Sequence, residues 1–90
     1  MSVLLITYEY RETSMELDPV PSLLRKYKHV QVSESSYAIV TNEKTVTVLA
    51  KIKPYLRTNT LLFIVTVMQP FTVQGLDHLK EWFRKHLPEE

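Results

Sequence analysis

The segment that most limits how this chain can fold is residues 3–10, VLLITYEY. Side chains alternate between the two faces of a β-strand, and both faces are mostly apolar here. One face carries Leu4, Ile6, Tyr8 and Tyr10, and the other carries Val3, Leu5, Thr7 and Glu9. A strand that is covered on both sides is typical of the middle of a sheet. The sequence therefore predicts a central strand, with the carboxylate of Glu9 near its end.

Hydrophobic periodicity predicts that a strand–helix–strand order occurs twice. After the first strand, the predicted elements are a helix of about ten residues capped by Asp18, strands at 29–33 and 37–41, a helix capped by Asn42 that ends near Leu56, a strand at 60–68, a short strand at 71–73 and a helix at 76–87. Pro54 should tighten or kink the last turn of the second helix. This order is typical of a ferredoxin-like βαββαβ sandwich. We therefore predict an α+β fold of this kind, as one domain over residues 1–90, with a short extra strand and a C-terminal helix.

The predicted sandwich leaves one face of its sheet without helices. That face would carry Val3, Leu5 and apolar residues of the fourth strand, which is more apolar surface than a protein leaves in water. We therefore expect a homodimer that packs through the open sheet face.

Composition excludes several kinds of site and partner. The chain has no cysteine, which excludes disulfides and thiolate metal sites, and its single glycine cannot build a glycine-rich phosphate loop. The apolar N-terminal run is too short to span a membrane and lacks the flanks of a signal peptide, so we expect a cytoplasmic protein with no membrane partner. The net charge of +1 gives no strong overall attraction to nucleic acid, so such contact would need a local basic patch.

Four later segments form a set whose order and composition are informative. They are Ser-Tyr-Ala-Ile-Val-Thr at 36–41, Lys-Ile-Lys-Pro-Tyr-Leu at 51–56, Thr-Asn-Thr-Leu-Leu-Phe-Ile-Val at 58–65 and Glu-Trp-Phe-Arg-Lys-His-Leu at 81–87. Together they resemble the SinR-like family, which is similar to a small CRISPR-associated integration protein and to the VapD ribonuclease toxins of toxin–antitoxin pairs. The resemblance implies a ferredoxin-like homodimer in which the segment after the fourth strand, here 71–73, pairs with the partner subunit.

The resemblance also implies a role for the end of the first strand. In the CRISPR-associated relatives an aspartate follows a tyrosine or similar residue there, and its two copies hold a divalent metal for phosphodiester cleavage. Tyr8-Glu9 matches this position with Glu in place of Asp. Glu9 is thus implied as the catalytic and metal-binding residue, with Mg²⁺ or Mn²⁺ as cofactor. The extra methylene moves the carboxylate by about 1.5 Å, and misplacement on this scale costs up to about 10²-fold in rate.

The acidic candidates also have ordinary structural explanations. If Glu9 does not bind metal, it is expected to be exposed to solvent or to form an ion pair with Arg11 or a lysine. Glu12, Glu16 and Asp18 would supply further oxygen ligands if a metal binds here. Otherwise Glu12 and Glu16 are solvated residues of the loop, and Asp18 caps the first helix.

Two basic groups are candidates for phosphate contact. The first is Arg25, Lys26, Lys28 and His29, where the first helix meets the second strand, and the second is Lys51, Lys53 and Arg57. Each would otherwise be a solvated surface, since no exposed aromatic residues are interleaved with it. Elsewhere, the dispersed His29, His78 and His86 have no metal-site spacing, and Trp82 and Phe83 fit a helix core or a dimer contact.

Two classes of function follow from these observations. In the first, the chain is a nucleic-acid-associated homodimer, either a divalent-metal-dependent endonuclease acting on RNA or DNA or a degenerate relative of one. In the second, it is a non-catalytic protein-interaction module, such as an adaptor or an inhibitor carried by a phage or another mobile element.

Overall fold

The structure, a computed structural model, describes residues 1–10, 19–56 and 60–87, without the side chain of Tyr10. Its elements are β1 (Ser2–Tyr10), α1 (Val20–Leu24), β2 (Lys28–Ser33), β3 (Ser36–Thr41), α2 (Thr45–Ile52), a 3₁₀ turn (Lys53–Tyr55), β4 (Thr60–Val67) and α3 (Asp77–His86). Pro54 lies in the 3₁₀ turn, which confirms the prediction that it tightens the end of α2.

The four strands form one sheet in the order β2-β3-β1-β4, and every neighbouring pair is antiparallel. β1 pairs with β3 on one side and with β4 on the other, so the prediction of a central first strand is confirmed. β2 lies at an edge, as its half-polar sequence indicates. The protein is therefore a small α+β domain with a four-stranded antiparallel sheet, which is compatible with a ferredoxin-like fold.

The face of the sheet that carries Leu4, called here the helix face, is covered by α1 and α2. Its core consists of Leu4, Ile6, Tyr8, Val20, Leu24, Tyr37, Ile39 and Val48. Ile52, at the end of α2, is also almost fully buried. Burial of these side chains stabilises the short α1, because a helix of this length is not stable in water by itself.

Both helices of this layer begin or end differently from the prediction. α1 has five residues, because the Tyr27 N–H bonds to the Leu24 carbonyl and closes a turn directly before β2. Asp18, the predicted cap, lies outside the described residues, and Pro19 occupies the N-cap position. Asn42 does not cap α2, since the Glu43 N–H donates to the Thr41 hydroxyl at 3.0 Å and the helix starts two residues later.

The opposite face of the sheet, called here the second face, is partly covered by α3. Val3 and Ala38 on this face are fully buried, and they pack in one cluster with Phe83 and Leu87. Val30, Val32, Phe71, Val73 and Trp82 extend the cluster. A second copy of the chain is thus not needed to bury Val3. The prediction of a dimer then rests only on the part of the second face that α3 leaves open.

Within one subunit, the segment 71–73 pairs with no strand among the described residues, so it does not form the predicted short strand there. Its implied pairing with a partner subunit stays a prediction. Phe71 and Val73 instead use their side chains to fill the cluster on the second face, where the Phe71 and Phe83 ring centroids are 5.7 Å apart. The segment is therefore held to the chain by side-chain packing rather than by a strand ladder. Gly75, at a φ of +134°, follows it and turns the chain into α3.

Among the described residues, no helix is both long enough and apolar enough to cross a membrane.

Candidate functional site

Glu9 lies on the second face, at the end of β1 that is remote from α3. Strand alternation places it on the same face as Val3, and the ladder sets it opposite Leu61 of β4. Its side chain is exposed and lines an open depression together with Thr7, Tyr8, Ser35, Leu61 and Phe63. The hydroxyl of Thr7, one of these lining residues, accepts a hydrogen bond of 3.0 Å from the Ser36 hydroxyl. Glu9 is thus accessible and surrounded by hydroxyl and apolar groups.

Beside Glu9, β4 presents three apolar side chains to solvent on the second face. Leu61 is 40% exposed, Phe63 is 56% exposed and Val65 is 47% exposed. We call these three residues the β4 strip. β4 is an edge strand of eight residues with neither charge nor proline, so it lacks the usual features that prevent edge strands from associating. A contiguous apolar surface of this kind marks an interaction site more often than a chance exposure.

Glu9 is the one described carboxylate in the donor set that this depression offers to a divalent metal. Mg²⁺ is typically bound by one or two carboxylates, with water or substrate oxygens completing the shell. In the part of the chain that the structure describes, no group of three His, Asp or Glu side chains is placed to hold a metal, and no cation pairs with Glu9. Glu12, Glu16, Asp18 and Arg11 lie outside the described residues. One chain thus offers one described carboxylate, the smaller number that Mg²⁺ uses, and a site with two carboxylates would require the second from elsewhere.

The first predicted basic group is exposed but divided by the strand. Arg25, Lys26, Lys28 and His29 are all exposed. Lys28 and His29 are consecutive in β2, so they point to opposite faces of the sheet. Nδ1 of His29 lies 2.9 Å from the Tyr27 carbonyl oxygen, a hydrogen bond that stabilises the turn between α1 and β2. Lys28, on the second face, points to the side where α3 packs.

The second predicted basic group is described only in part, and Lys53 is its one exposed member for which no ion pair is found among the described residues. Lys51 pairs with the carboxylate of Glu43, and Arg57 lies outside the described residues. The Glu43 carboxylate also accepts a hydrogen bond of 2.6 Å from the Tyr27 hydroxyl. Burial, followed by this hydrogen bond and the charge of Glu43, raises the pKa of Tyr27 to about 12, and the bonds from Lys51 and Tyr27 lower the pKa of Glu43.

This Tyr27–Glu43–Lys51 network joins the end of α1 to α2. Sequence reasoning missed it, because its members are far apart along the chain and no local spacing connects them. The polar groups of these three side chains are hydrogen-bonded or ion-paired to one another, which indicates a structural link between the two helices rather than a reactive group.

The C-terminal helix carries Trp82 and Phe83, which the sequence predicts as core residues or dimer contacts. Trp82 packs beside His86 with ring centroids 4.6 Å apart and ring planes inclined by 54°, and it meets Phe83 edge-on at 5.3 Å. Phe83 is buried, as predicted for a core residue, whereas Trp82 remains partly exposed. Burial, then the charges of Lys28 and Lys85, lowers the pKa of His86.

Comparison with known proteins gives no match. No protein-family model matches the chain, and neither a curated protein nor a solved structure matches it at a significant level. The resemblance to the SinR-like family therefore stays a prediction, and the function has to be inferred from the chain's own geometry.

Proposed function

We propose that this protein is a nucleic-acid-associated homodimer of ferredoxin-like subunits. The observation that carries the proposal is the position of the exposed β4 strip directly beside Glu9 on the second face. The strand order β2-β3-β1-β4, with α1 and α2 on one face, supports the ferredoxin-like assignment.

The β4 strip supports a second copy of the chain as its occupant. A two-fold interface brings the same residues of both subunits together, so it requires a surface that does not repel itself. Leu61, Phe63 and Val65 carry no charge, and α3 covers only the other part of the second face. Phe63 is the largest exposed side chain in the strip and is the natural centre of such an interface.

The neighbouring Glu9 connects the dimer to nucleic-acid chemistry. If two subunits pack through the β4 strip, each brings one exposed carboxylate to the rim of the interface. Two carboxylates would supply the second oxygen ligand that a single chain lacks for Mg²⁺ or Mn²⁺. Such an ion, when bound, would polarise a phosphodiester and activate water, while the hydroxyls of Thr7 and Ser35 line the same depression.

Replacing Phe63 by serine is expected to convert the dimer into monomers. The wild-type chain should elute with twice its mass of 10.6 kDa in size-exclusion chromatography with light scattering at micromolar concentration. Loss of a central aromatic contact costs about 2 kcal/mol or more, and a two-fold interface loses both copies.

The matched control for this experiment is Val46→Ser. Val46 on α2 is also a large exposed apolar residue, at 70%, but it is not part of the β4 strip, so this variant should remain dimeric. Circular dichroism should show that both variants are folded. A wild-type monomer at this concentration, or a Phe63→Ser variant that stays dimeric, would refute the proposed interface.

Glu9→Gln is expected to abolish any metal-dependent cleavage of labelled RNA or DNA by the dimer. With Mn²⁺ present, the loss should be about 10²-fold or more, because the amide cannot replace a charged ligand. Glu34→Gln, which removes an exposed carboxylate in the β2–β3 turn, should leave cleavage unchanged. Cleavage that persists in Glu9→Gln would assign it to another site.

A non-catalytic protein-interaction module is the second candidate. It is favoured by the presence of a single described carboxylate at the site in each chain and by the net charge of only +1. In this case the wild-type protein forms the dimer through the β4 strip but neither binds nor cleaves nucleic acid, with or without Mn²⁺. Binding of labelled RNA or DNA by the wild-type dimer at low salt, with and without Mn²⁺, therefore separates the two functions.

A further inference from the structure

The direction of the backbone groups in β4 follows from one hydrogen bond of β1. The Tyr8 N–H donates to the carbonyl of Ser35, just before β3, at 3.0 Å. The backbone groups of Tyr8 thus point towards β3, and those of Thr7, the preceding residue, point towards β4. Thr7 lies opposite Phe63, and directly opposite residues of an antiparallel pair either exchange both hydrogen bonds or neither. The backbone groups of Phe63 therefore point back to β1.

The two neighbours of Phe63 consequently direct their N–H and C=O groups away from the sheet. Leu62 and Ile64 lie on either side of Phe63, and the direction of the backbone groups alternates along a strand. Among the described residues, no strand pairs with β4 on this outer side. The outward groups recur about every 7 Å, a spacing that another strand matches residue for residue.

An apolar groove runs beside this edge on the helix face, between β4 and α2. Leu62 and Ile64 form its wall on the sheet, and Thr45, Val46 and Leu49 form its wall on the helix, around a cavity of about 110 Å³. Leu62 and Ile64 are half-buried, whereas Val46 is 70% exposed. A strand that pairs with β4 would place every second side chain in this groove, which we call the α2 groove. The edge and the groove together therefore fit an extended segment with apolar residues at alternate positions.

The α2 groove has a lysine at each end. Near the start of α2 it continues into a cavity of about 460 Å³ that Lys44, Thr45 and Val46 line together with the start of β1 and the end of β4. At the other end, Lys53 follows Leu49 by four residues, so it continues the same side of α2 by one turn.

The charges of these two lysines are available to an occupant of the groove. Both side chains are exposed, and neither forms an ion pair with a described carboxylate. Glu43 also lines the cavity at the start of α2, but its carboxylate is bound by Lys51 and Tyr27. The α2 groove is thus apolar in its centre and positive at both ends, which favours an occupant with an acidic residue at each of its own ends.

This charge pattern disfavours a second copy of the chain as the occupant. Antiparallel pairing of two β4 strands around a two-fold axis would bring Lys44 at one groove end towards Lys53 of the other copy. Like charges would then face each other, and β4 has no acidic residue to offer to either lysine. A segment of another protein with acidic ends meets no such repulsion.

We propose that the outer edge of β4 and the α2 groove bind an extended segment of another protein as a fifth strand. The segment adds antiparallel, as every other strand of the sheet does, and its alternate apolar side chains lie beside Leu62 and Ile64. An acidic residue at each end contacts Lys44 or Lys53. The inference goes beyond the homodimer and does not depend on it, because the β4 strip lies on the second face whereas the α2 groove lies on the helix face.

The test measures fluorescence anisotropy of a fluorescein-labelled peptide, DTVTVTD, during titration with the wild-type chain. In an extended peptide the two valines and the two aspartates share one face, with the aspartates about 20 Å apart. The wild type should bind this peptide about fivefold more tightly than the neutral STVTVTS, because the neutral peptide lacks both ion pairs. The double variant Lys44→Gln/Lys53→Gln should bind the two peptides equally.

Methylation of the peptide backbone separates strand addition from unspecific apolar contact. In the antiparallel pairing the valines lie opposite Leu62 and Ile64, so their N–H groups point to β4, whereas those of the threonines point to solvent. N-methylation of both valines should weaken binding about tenfold or more, since two hydrogen bonds are lost. N-methylation of two threonines is the matched control and should change the affinity by less than about twofold.

Val46→Glu tests the groove from the side of the protein. It places a negative charge beside the acidic peptide and should weaken binding of DTVTVTD about tenfold or more. Thr47→Glu is the matched control, because Thr47 is also exposed but lies about 160° around α2 from Leu49. It changes the net charge equally and should keep the affinity within about twofold of the wild type. Circular dichroism should show that both variants are folded.

Three results would overturn the inference. The first is that the wild type does not bind DTVTVTD at millimolar peptide, and the second is that both methylated peptides bind equally well. The third is that Val46→Glu converts the wild-type dimer into monomers while the peptide does not bind, which would assign the groove to a second copy of the chain. None of these results concerns Glu9 or nucleic acid, so the proposed function stands or fails by its own experiments.

Discussion

Ile39→Ala is expected to lower the free energy of unfolding by about 2–5 kcal/mol, the range found when a large aliphatic side chain is removed from a core. Ile39 is fully buried in β3, one of the two central strands, and lies opposite Leu4 of β1. It belongs to the cluster that α1 and α2 cover. Because a domain of this size is stable by only about 5–15 kcal/mol, the variant should unfold at a much lower urea concentration.

The control for this measurement is Val46→Ala, which shortens a side chain that is 70% exposed on α2. Its free energy of unfolding should stay within about 0.5 kcal/mol of the wild type. Urea unfolding followed by far-UV circular dichroism measures both variants. An Ile39→Ala variant that is no less stable than Val46→Ala would show that the helix face is not packed as described.

Phe83→Ala is expected to cost about 3–5 kcal/mol and to release α3 from the second face. Phe83 is 7% exposed and holds the helix against the sheet through its cluster with Val3 and Ala38 and through Phe71, at 5.7 Å between ring centroids. Release of α3 would expose Val3 and Ala38 of the sheet. The emission of Trp82 should shift to longer wavelength, since the indole loses the rings packed beside it.

Arg84→Ala serves as the comparison, because Arg84 is the next residue of the same helix and its only described ion pair is an exposed one with Glu81 at 3.5 Å. Its effect on the free energy of unfolding should be below about 1 kcal/mol. If Phe83→Ala keeps both the wild-type stability and the wild-type emission spectrum, α3 does not cover the second face in solution.

Most of the fold could be predicted because the signals are local. The alternation of apolar residues in β1, and the long apolar run that forms β4, identify strands without reference to the rest of the chain. The central position of β1 follows from its two apolar faces. Helix ends were predicted less well, because the hydrogen bonds of Tyr27 and Thr41 that set them depend on how neighbouring elements meet.

The candidate site was predicted only in part. The position of Glu9 at the end of β1 follows from sequence, and so does its face of the sheet. Its neighbours Phe63 and Leu61 depend on the register between β1 and β4, which is a long-range pairing. The Tyr27–Glu43–Lys51 network and the packing of α3 against β2 have no sequence signal, because each joins residues that are distant along the chain.

The spacing of side chains over a few residues or turns is enough to predict the strands, the faces of those strands and the apolar stripe on α3. It is not enough to predict which surface the stripe covers, because that depends on how the elements pack in three dimensions. From the sequence, another subunit is expected to cover the whole second face, but α3 and the segment with Phe71 cover the part around Val3 and leave the β4 strip open. Burial of apolar area is not directional, so an apolar stripe does not specify its partner in advance.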